Sequence, residues 1–209
     1  MAFWGAPVID AGHAVHAVQA ALAMTRQLGA LNAELQQRGL PPIGVGIGLN
    51  SGLVCVGDMG SNIRRSYTVM GDAVNLASRI EALTRHYGVE LLAGQSTREA
   101  CVDPSLCWIE VDRVRVKGKA QPVTLFTPVT EEDSGIPMFN EQLRHWQLAL
   151  THYRLQHWDD AQTELRQLQT ERPGSLFTGL RQLLDQRITD HRRAPPPADW
   201  DGAHTFDSK

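Results

Sequence analysis

The most regular pattern of hydrophobic and polar positions lies between residues 66 and 88. Residues 67–70 (YTVM) form a β-type run, Gly71 interrupts it, and Asp72 occupies a position where helices prefer an N-cap residue. In the segment that follows, apolar residues recur at helical spacing on one face: Ala73, Leu76, Ala77, Ile80 and Leu83. The pattern predicts a strand followed directly by a helix that packs one face against a sheet.

Two polar residues lie on the opposite face of this predicted helix. Asn75 and Arg79 are four positions apart, so they are neighbours one turn from each other. They are also close to the helix N-terminus, whose dipole favours an anion. An amide and a guanidinium in this arrangement could bind one phosphorylated ligand. The alternative interpretation is an ordinary solvated helix face.

Two further segments precede this pattern. Residues 10–38 are predicted to form a long amphipathic helix, with an apolar stripe of Val15, Val18, Leu22, Leu28, Leu31 and Leu35. Residues 43–57 indicate two strands joined at residues 50–52, and residues 57–62 a turn. Gly44, Gly46 and Gly48 share one side of the first strand. A stripe without side chains lets another backbone, or a nucleotide, approach closely.

Basic residues alternate later in the chain. Arg113, Arg115, Lys117 and Lys119 share one face of a predicted strand for as long as that strand continues. Such a face could meet a polyphosphate. The alternative is a charged edge strand that resists aggregation.

The composition changes to a helical pattern with aromatic anchors after a linker at residues 130–138. Residues 139–190 indicate two antiparallel helices and one further helix, a pattern that resembles a tetratricopeptide repeat. Residues 191–209 are proline-rich and are predicted to be extended.

Overall composition narrows the function classes. The 209 residues are 42% hydrophobic, which supports a real core, and the net charge of −3 gives no reason to expect a nucleic acid partner. No window approaches the ~18 apolar residues of a membrane span. Three cysteines without a CxxC pair indicate reduced thiols, so we expect a cytoplasmic location.

The segment YTVMGDAVNLASRIE resembles the signature of the bacterial class III nucleotidyl cyclases. The resemblance implies that Asn75 orients the ribose, that Arg79 stabilises the pentacoordinate phosphorus of the transition state, and that Thr68 helps to read the purine. Threonine at this place favours ATP over GTP. In the same family the segment VKGK carries a lysine that binds the triphosphate. That role falls to Lys117, with Lys119 second, and Arg64 is expected to help hold the triphosphate.

The resemblance also implies a fold and a set of partners. We expect residues 1–129 to form an α+β domain with the ferredoxin-like sheet and packed helices of the cyclases, and the helical region to be a small appendage. MAFWGAP resembles the family segment just after the second metal-binding aspartate. The chain is therefore expected to match the later two-thirds of the domain, truncated at its N-terminus. The two aspartates that bind Mg²⁺ or Mn²⁺ in the complete domain would lie upstream of Met1.

Three functions follow from these expectations. In the first, the chain is expected to belong to an adenylate cyclase in bacterial signal transduction and to act with a second cyclase chain in a head-to-tail dimer. The resemblance implies a parent protein of a type that is generally anchored at the inner membrane. Alternatively, it is a catalytically silent regulatory or complementing partner, or part of a guanylate cyclase. In the third interpretation, the helical region is the working part and the chain is an interaction module.

Overall fold

The structure is a computed structural model that describes residues 1–61, 65–116, 121–130, 137–168 and 176–206. The chain divides into two compact units. Unit 1 comprises Met1–Arg85 with Glu90–Pro104, and unit 2 comprises His86–Val89 with Ser105–Lys209. Helices and strands occur together in both units, which confirms the predicted α+β class.

Unit 1 contains the strand and most of the helix predicted for residues 66–88. Its elements in chain order are α1 (His13–Gln37), β1 (Ile47–Leu49), β2 (Cys55–Gly60), β3 (Arg65–Met70), α2 (Asp72–Tyr87, whose last two residues belong to unit 2), β4 (Leu91–Gly94) and α3 (Gln95–Ala100). β1 pairs in parallel with β4, with Ile47 opposite Leu91. β2 and β3 form a separate antiparallel sheet.

Two strands flank residues 50–52, as predicted for residues 43–57, but they do not form a hairpin, because β1 and β2 pair with different partners. The intervening residues are tied to helices instead of forming a hairpin turn. The side-chain amide of Asn50 donates a hydrogen bond to the carbonyl oxygen of Ala73 (3.1 Å), and the hydroxyls of Ser51 and Thr97 lie 3.1 Å apart. The turn predicted for residues 57–62 is also wrong, since β2 continues to Gly60.

Two glycines explain how α2 packs on the sheet: Gly48 in β1, and Gly46 directly before this strand. A Cβ atom at Gly48 would lie 2.3 Å from the backbone nitrogen of Glu81 and 2.4 Å from the carbonyl oxygen of Ala77. A Cβ atom at Gly46 would lie 2.2 Å from the hydroxyl of Thr84. Because Gly46 and Gly48 have no side chains, the backbone and side chains of α2 can pack directly against this part of the chain.

Replacing Gly48 by alanine is expected to destabilise the protein by about 1–3 kcal/mol, because a helix backbone must move to admit the methyl group. Gly44→Ala is the matched control, since a Cβ atom there would have no neighbour within 4 Å. It is expected to change stability by less than about 0.5 kcal/mol. Urea unfolding midpoints at unchanged slope measure both effects. Equal midpoints for the two variants would contradict this account of the packing.

The buried face of α1 differs from the predicted stripe. Its buried residues are Ala14, Ala17, Val18 and Ala21, all in the first half of the helix. Of the predicted stripe only Val18 is among them, and Leu31 is 42% exposed. Three alanines let α1 approach its neighbours closely, whereas the leucines of its second half remain partly in solvent.

Unit 2 combines a sheet with the C-terminal helices. Its elements are β5 (Leu106–Arg115), β6 (Val123–Thr130), α4 (Pro137–Arg154), α5 (Trp158–Gln167), α6 (Leu176–Arg193) and β7 (His204–Thr205). β5 pairs antiparallel with β6 and in parallel with β7. Three helices therefore follow the sheet, as the pattern indicated, and their relation to a tetratricopeptide repeat stays a prediction.

The helices and the tail of unit 2 pack against β5 and against each other. The indole N–H of Trp146 donates to the carbonyl oxygen of Glu110 (2.7 Å), and Arg154 pairs with the carboxylate of the same residue. In the tail, the ring of Trp200 lies 5.2 Å from that of Tyr153 and 5.0 Å from that of His191. The proline-rich tail is thus docked by its aromatic residue. No described helix is long and apolar enough to cross a lipid bilayer.

Candidate functional site

The candidate site is built on the junction of β3 and α2. Gly71 joins the two elements with a φ of 156°, and a Cβ atom there would lie 3.4 Å from the carbonyl oxygen of Leu53. Glycine therefore permits a direct strand-to-helix turn at this crowded place. α2 begins immediately afterwards with Asp72 in its first turn, and the backbone N–H of Asn75 donates to the carbonyl oxygen of Gly71 (3.2 Å).

Asn75 and Arg79 lie on the side of α2 away from its buried residues. Asn75 is exposed and Arg79 is half-buried, whereas Ile80 and Leu83 are buried. The predicted difference between the two faces is clear at Asn75, whereas Arg79 is half-buried, as are Leu76 and Ala77 of the predicted apolar face. Side chains at this spacing have Cβ atoms about 6 Å apart, which suits two contacts on one ligand. Within the described ranges neither side chain forms an ion pair or a hydrogen bond, so the charge of Arg79 has no carboxylate partner there.

Thr68 is the third predicted site residue that the structure places. It is half-buried on β3 and pairs with Gly57 of β2. Thr68, Asn75 and Arg79 thus belong to one unit and to two consecutive elements. Arg64, Lys117 and Lys119 lie outside the described residues, so the expectation that they hold a triphosphate stays a prediction.

The two arginines of the predicted basic face are engaged by the tail of unit 2. Arg115 forms two hydrogen bonds with the carboxylate of Asp201 (2.6 and 3.1 Å), and Arg113 donates to the carbonyl oxygen of Asp201 (3.2 Å). Burial of Asp201 favours its neutral form, but the backbone N–H of Ala203 and the Arg115 guanidinium outweigh that effect and hold the pKa of this carboxyl below its usual value. Arg115 therefore binds a carboxylate of the chain itself, and Arg113 binds the main-chain carbonyl of the same residue. Since β7 pairs with β5 at Val114 and Arg115, β5 is not a free edge there.

A polar network beside the start of α2 was not found by sequence reasoning. The Ser96 hydroxyl donates to the carbonyl oxygen of Ser51 (2.8 Å) and lies 3.1 Å from the side-chain oxygen of Asn50. Asn50 in turn holds the carbonyl oxygen of Ala73 in the first turn of α2. The network fixes where α2 begins and so positions Asn75. The signal in the sequence was the polar pair at residues 50–51. From the pattern alone, we interpret these residues only as the connection between two strands.

Unit 2 contains a buried ionic cluster that sequence reasoning also missed. The Tyr87 hydroxyl donates to the carboxylate of Asp112 (2.5 Å), and Arg187 pairs with the same oxygen. Burial raises the pKa of Tyr87 well above its usual value, and the negative charge of Asp112 adds to that shift. Burial alone would lower the pKa of Arg187, but the Asp112 carboxylate raises it above its usual value. Arg187 therefore stays charged, and the cluster ties α6 to β5 and to the end of α2.

Comparisons with known proteins concern mainly the first 128 residues. Residues 1–128 match the family described as the adenylate and guanylate cyclase catalytic domain. Adenylate cyclase 1 from Rhizobium meliloti (strain 1021) is 35% identical over 128 residues, which are 61% of this chain and 19% of that protein. Adenylate cyclase from Anabaena cylindrica is 38% identical over 125 residues, 57% of this chain and 25% of that protein. The chain thus spans a quarter or less of the length of these relatives.

Two solved structures are similar to the chain. The adenylyl cyclase CyaB from P. aeruginosa superimposes with a TM-score of 0.54 and 29% identity, covering 60% of this chain and 64% of that one. The guanylyl cyclase Cya2 has a TM-score of 0.51 and 32% identity, covering 61% and 63%.

Proposed function

This chain belongs to the adenylate and guanylate cyclase catalytic domain family, and on that premise we propose that it forms part of an adenylate cyclase, which converts ATP to cyclic AMP and pyrophosphate. The predicted cyclase fold is confirmed by the similarity to the two solved cyclase structures. The observation that carries the proposal is the face of α2 that presents Asn75 and Arg79 beside the β3–α2 turn.

The proposed chemistry explains the choice of these two side chains. The 3′-hydroxyl of ATP attacks the α-phosphorus, the bond to the bridging oxygen of pyrophosphate breaks, and negative charge spreads over the non-bridging oxygens. Arg79 supplies a permanently charged, planar donor fork for those oxygens. The amide of Asn75 can both donate to and accept from the ribose. Because Arg79 is half-buried, its charge is less screened than that of an exposed arginine.

The choice of ATP rests on Thr68 and on the two curated relatives, both adenylate cyclases by name. The threonine hydroxyl can donate to or accept from the edge of a purine. A guanylate cyclase is the second candidate, because one of the two solved relatives is a guanylyl cyclase of 32% identity.

The Mg²⁺ or Mn²⁺ ions of the proposed reaction need carboxylate ligands, and the family resemblance places those aspartates just before the segment MAFWGAP. Among the described residues, one group of three His, Cys, Asp or Glu side chains lies close enough together to hold a metal ion. That group belongs to unit 2. We therefore derive no step through a metal ion here. We propose that the metal-binding carboxylates are supplied by a second cyclase chain, and that this chain supplies the transition-state half of the site. A chain with the transition-state half alone would have no cyclase activity by itself. This is what the alternative of a complementing partner requires.

The interaction-module alternative receives less support. The helical region contributes Arg154 and Trp146 to contacts with β5, and Arg187 to the buried cluster of unit 2. These contacts make the helices a structural part of unit 2. The outer surfaces of the helices are not used by these contacts and are available for a partner.

Substrate choice is tested in a complete catalytic domain, made by placing the family segment with the two metal-binding aspartates before this chain. With Mg²⁺ or Mn²⁺, we expect cyclic AMP from ATP as the main product. Thr68→Ala should reduce the preference for ATP over GTP by about tenfold, the value of one hydrogen bond. Ser66→Ala, two residues away on β3 and exposed, is the matched control and should leave the preference unchanged. Cyclic GMP as the main product of the unaltered domain would favour the guanylate cyclase alternative.

A further inference from the structure

The connection between α4 and α5 brings three metal-binding side chains together. His152 lies near the end of α4, His157 directly before α5, and Asp160 in the first turn of α5. Gln156 adopts a φ of 60° between them, and the backbone N–H of His157 donates to the carbonyl oxygen of His152 (2.9 Å). The tight turn therefore holds the two imidazoles on one side, with ring centroids 6.1 Å apart.

The donor atoms converge on one point. The Nδ1 atom of His152 lies 3.9 Å from the carboxylate oxygen Oδ2 of Asp160, and Nδ1 of His157 lies 4.0 Å from the same oxygen. The three residues each offer a ligand atom within 4.8 Å of the other two. These separations are too long for hydrogen bonds and are close to those within the coordination shell of one ion.

A second observation points to a ligand. The Nδ1 atom of His152 is buried and has no hydrogen-bond partner, and it is the one such side-chain atom in the part of the chain that the structure describes. Burying a polar nitrogen without a partner costs free energy, so such atoms need an explanation. A bound metal ion supplies one, because a neutral imidazole binds a metal through the lone pair of its unprotonated nitrogen.

We propose that His152, His157 and Asp160 form a binding site for a divalent transition metal of the zinc class. Two imidazoles and one carboxylate are a common ligand set for Zn²⁺, and water completes its shell. Ligands of a tetrahedral zinc ion lie about 3.3 Å apart, so the three side chains need to move by less than about 1 Å. His157 and Asp160 have that freedom, with 57% and 65% of their side chains exposed.

The surroundings fit this assignment. An open cavity of about 350 Å³ adjoins the site and is lined by His157, Asp160, Trp158, Asp159 and Arg192, which leaves room for water ligands. The guanidinium of Arg192 is paired with Asp159, and this pairing reduces its repulsion of a cation. Because imidazole suits zinc better than magnesium, the site is distinct in chemistry from the Mg²⁺ or Mn²⁺ of the cyclase reaction. Its role is to clamp α4 to α5 across the turn.

The test is metal binding by the whole chain, measured by isothermal titration calorimetry with Zn²⁺. We expect one ion per chain, and an affinity at least about tenfold lower in His157→Gln and in Asp160→Asn. His16→Gln is the matched control. His16 forms a 2.8 Å pair with Asp10 on the surface but belongs to no group of three ligands among the described residues, so its loss should leave the affinity unchanged. Mg²⁺ should give no binding signal.

Two further measurements make the outcome decisive. Zn²⁺ should raise the melting temperature of the wild-type chain, whereas the doubly substituted His157→Gln/Asp160→Asn chain, folded by circular dichroism, should show no such rise. Co²⁺ should give the visible spectrum of a tetrahedral site with nitrogen and oxygen ligands. Equal Zn²⁺ affinity in the wild-type and doubly substituted chains would overturn the proposal. So would a Co²⁺ spectrum dominated by thiolate charge transfer, because the ion would then lie on the cysteines.

Discussion

Replacing Arg79 by alanine in the complete catalytic domain is expected to lower kcat for cyclic AMP formation by about 10²–10³-fold, with little change in KM. In the proposed function Arg79 meets charge that develops mainly in the transition state, so its removal should affect the barrier more than the binding of ATP. Lysine should restore only a small part of the rate, because its point charge does not span two oxygens.

Arg85 provides the matched control for this prediction. It lies on the same helix, six residues further on and therefore on a different face, and it is exposed. Arg85→Ala should leave kcat within about twofold of the unaltered domain, the range of an ordinary surface substitution. Initial rates over a range of ATP concentrations separate kcat from KM. Equal losses in the two variants would mean that Arg79 acts through general charge or folding and not at the phosphate.

Replacing Asp112 by asparagine is expected to destabilise the protein by about 3–5 kcal/mol, because it leaves the buried guanidinium of Arg187 without its counter-charge. The Asp112 and Arg187 side chains are only 4% and 9% exposed, so solvent cannot take the place of the lost partner. Chemical denaturation of the whole chain measures the effect. A change of less than about 1 kcal/mol would place this pair with ordinary surface ion pairs.

Two further variants separate the loss of charge pairing from simple loss of packing. Arg192→Ala breaks an ion pair with Asp159, which is 91% exposed, and should have little effect on stability. Exchanging the whole cluster for apolar residues (Tyr87→Phe, Asp112→Leu and Arg187→Met) should recover most of the stability lost in Asp112→Asn, because no buried charge then remains.

The parts of the structure that the sequence predicted correctly depend on neighbours within a few residues. The change from β3 to α2 follows from a β-type run, a glycine and a helical period, all between Tyr67 and Leu83. The exposed position of Asn75 follows from the same period. Such local signals are carried by the chain itself and need no knowledge of distant partners.

The missed features depend on contacts between distant residues. The pairing of β1 with β4 joins segments more than forty residues apart, and a polar stretch between two short strands resembles a hairpin turn when that partner is unknown. The glycines at 46 and 48 indicated close approach, but only the fold showed that α2 is what approaches. The Asp112–Arg187 pair joins positions 75 apart, and no period in the sequence marks it.

The same limit applies to the candidate sites. Thr68, Asn75 and Arg79 were identified by a contiguous signature, whereas the network that positions α2 joins Asn50 and Ser51 to Ser96, 45 residues further along the chain. The basic face of β5 was visible as an alternation, but its engagement by Asp201 requires the tail to fold back onto the strand. Alternation predicts which side chains share a face and does not predict what binds there.

The central claim is that this chain supplies the Asn75 and Arg79 half of a cyclase site. It is tested most directly by mixing the chain with the complete catalytic domain that carries Arg79→Ala. The first protein provides the arginine and the second the metal-binding aspartates. We expect cyclic AMP from the mixture and almost none from either protein alone, and the activity should disappear when the chain itself carries Arg79→Ala. An inactive mixture, in proteins shown by sedimentation to associate, would contradict the claim.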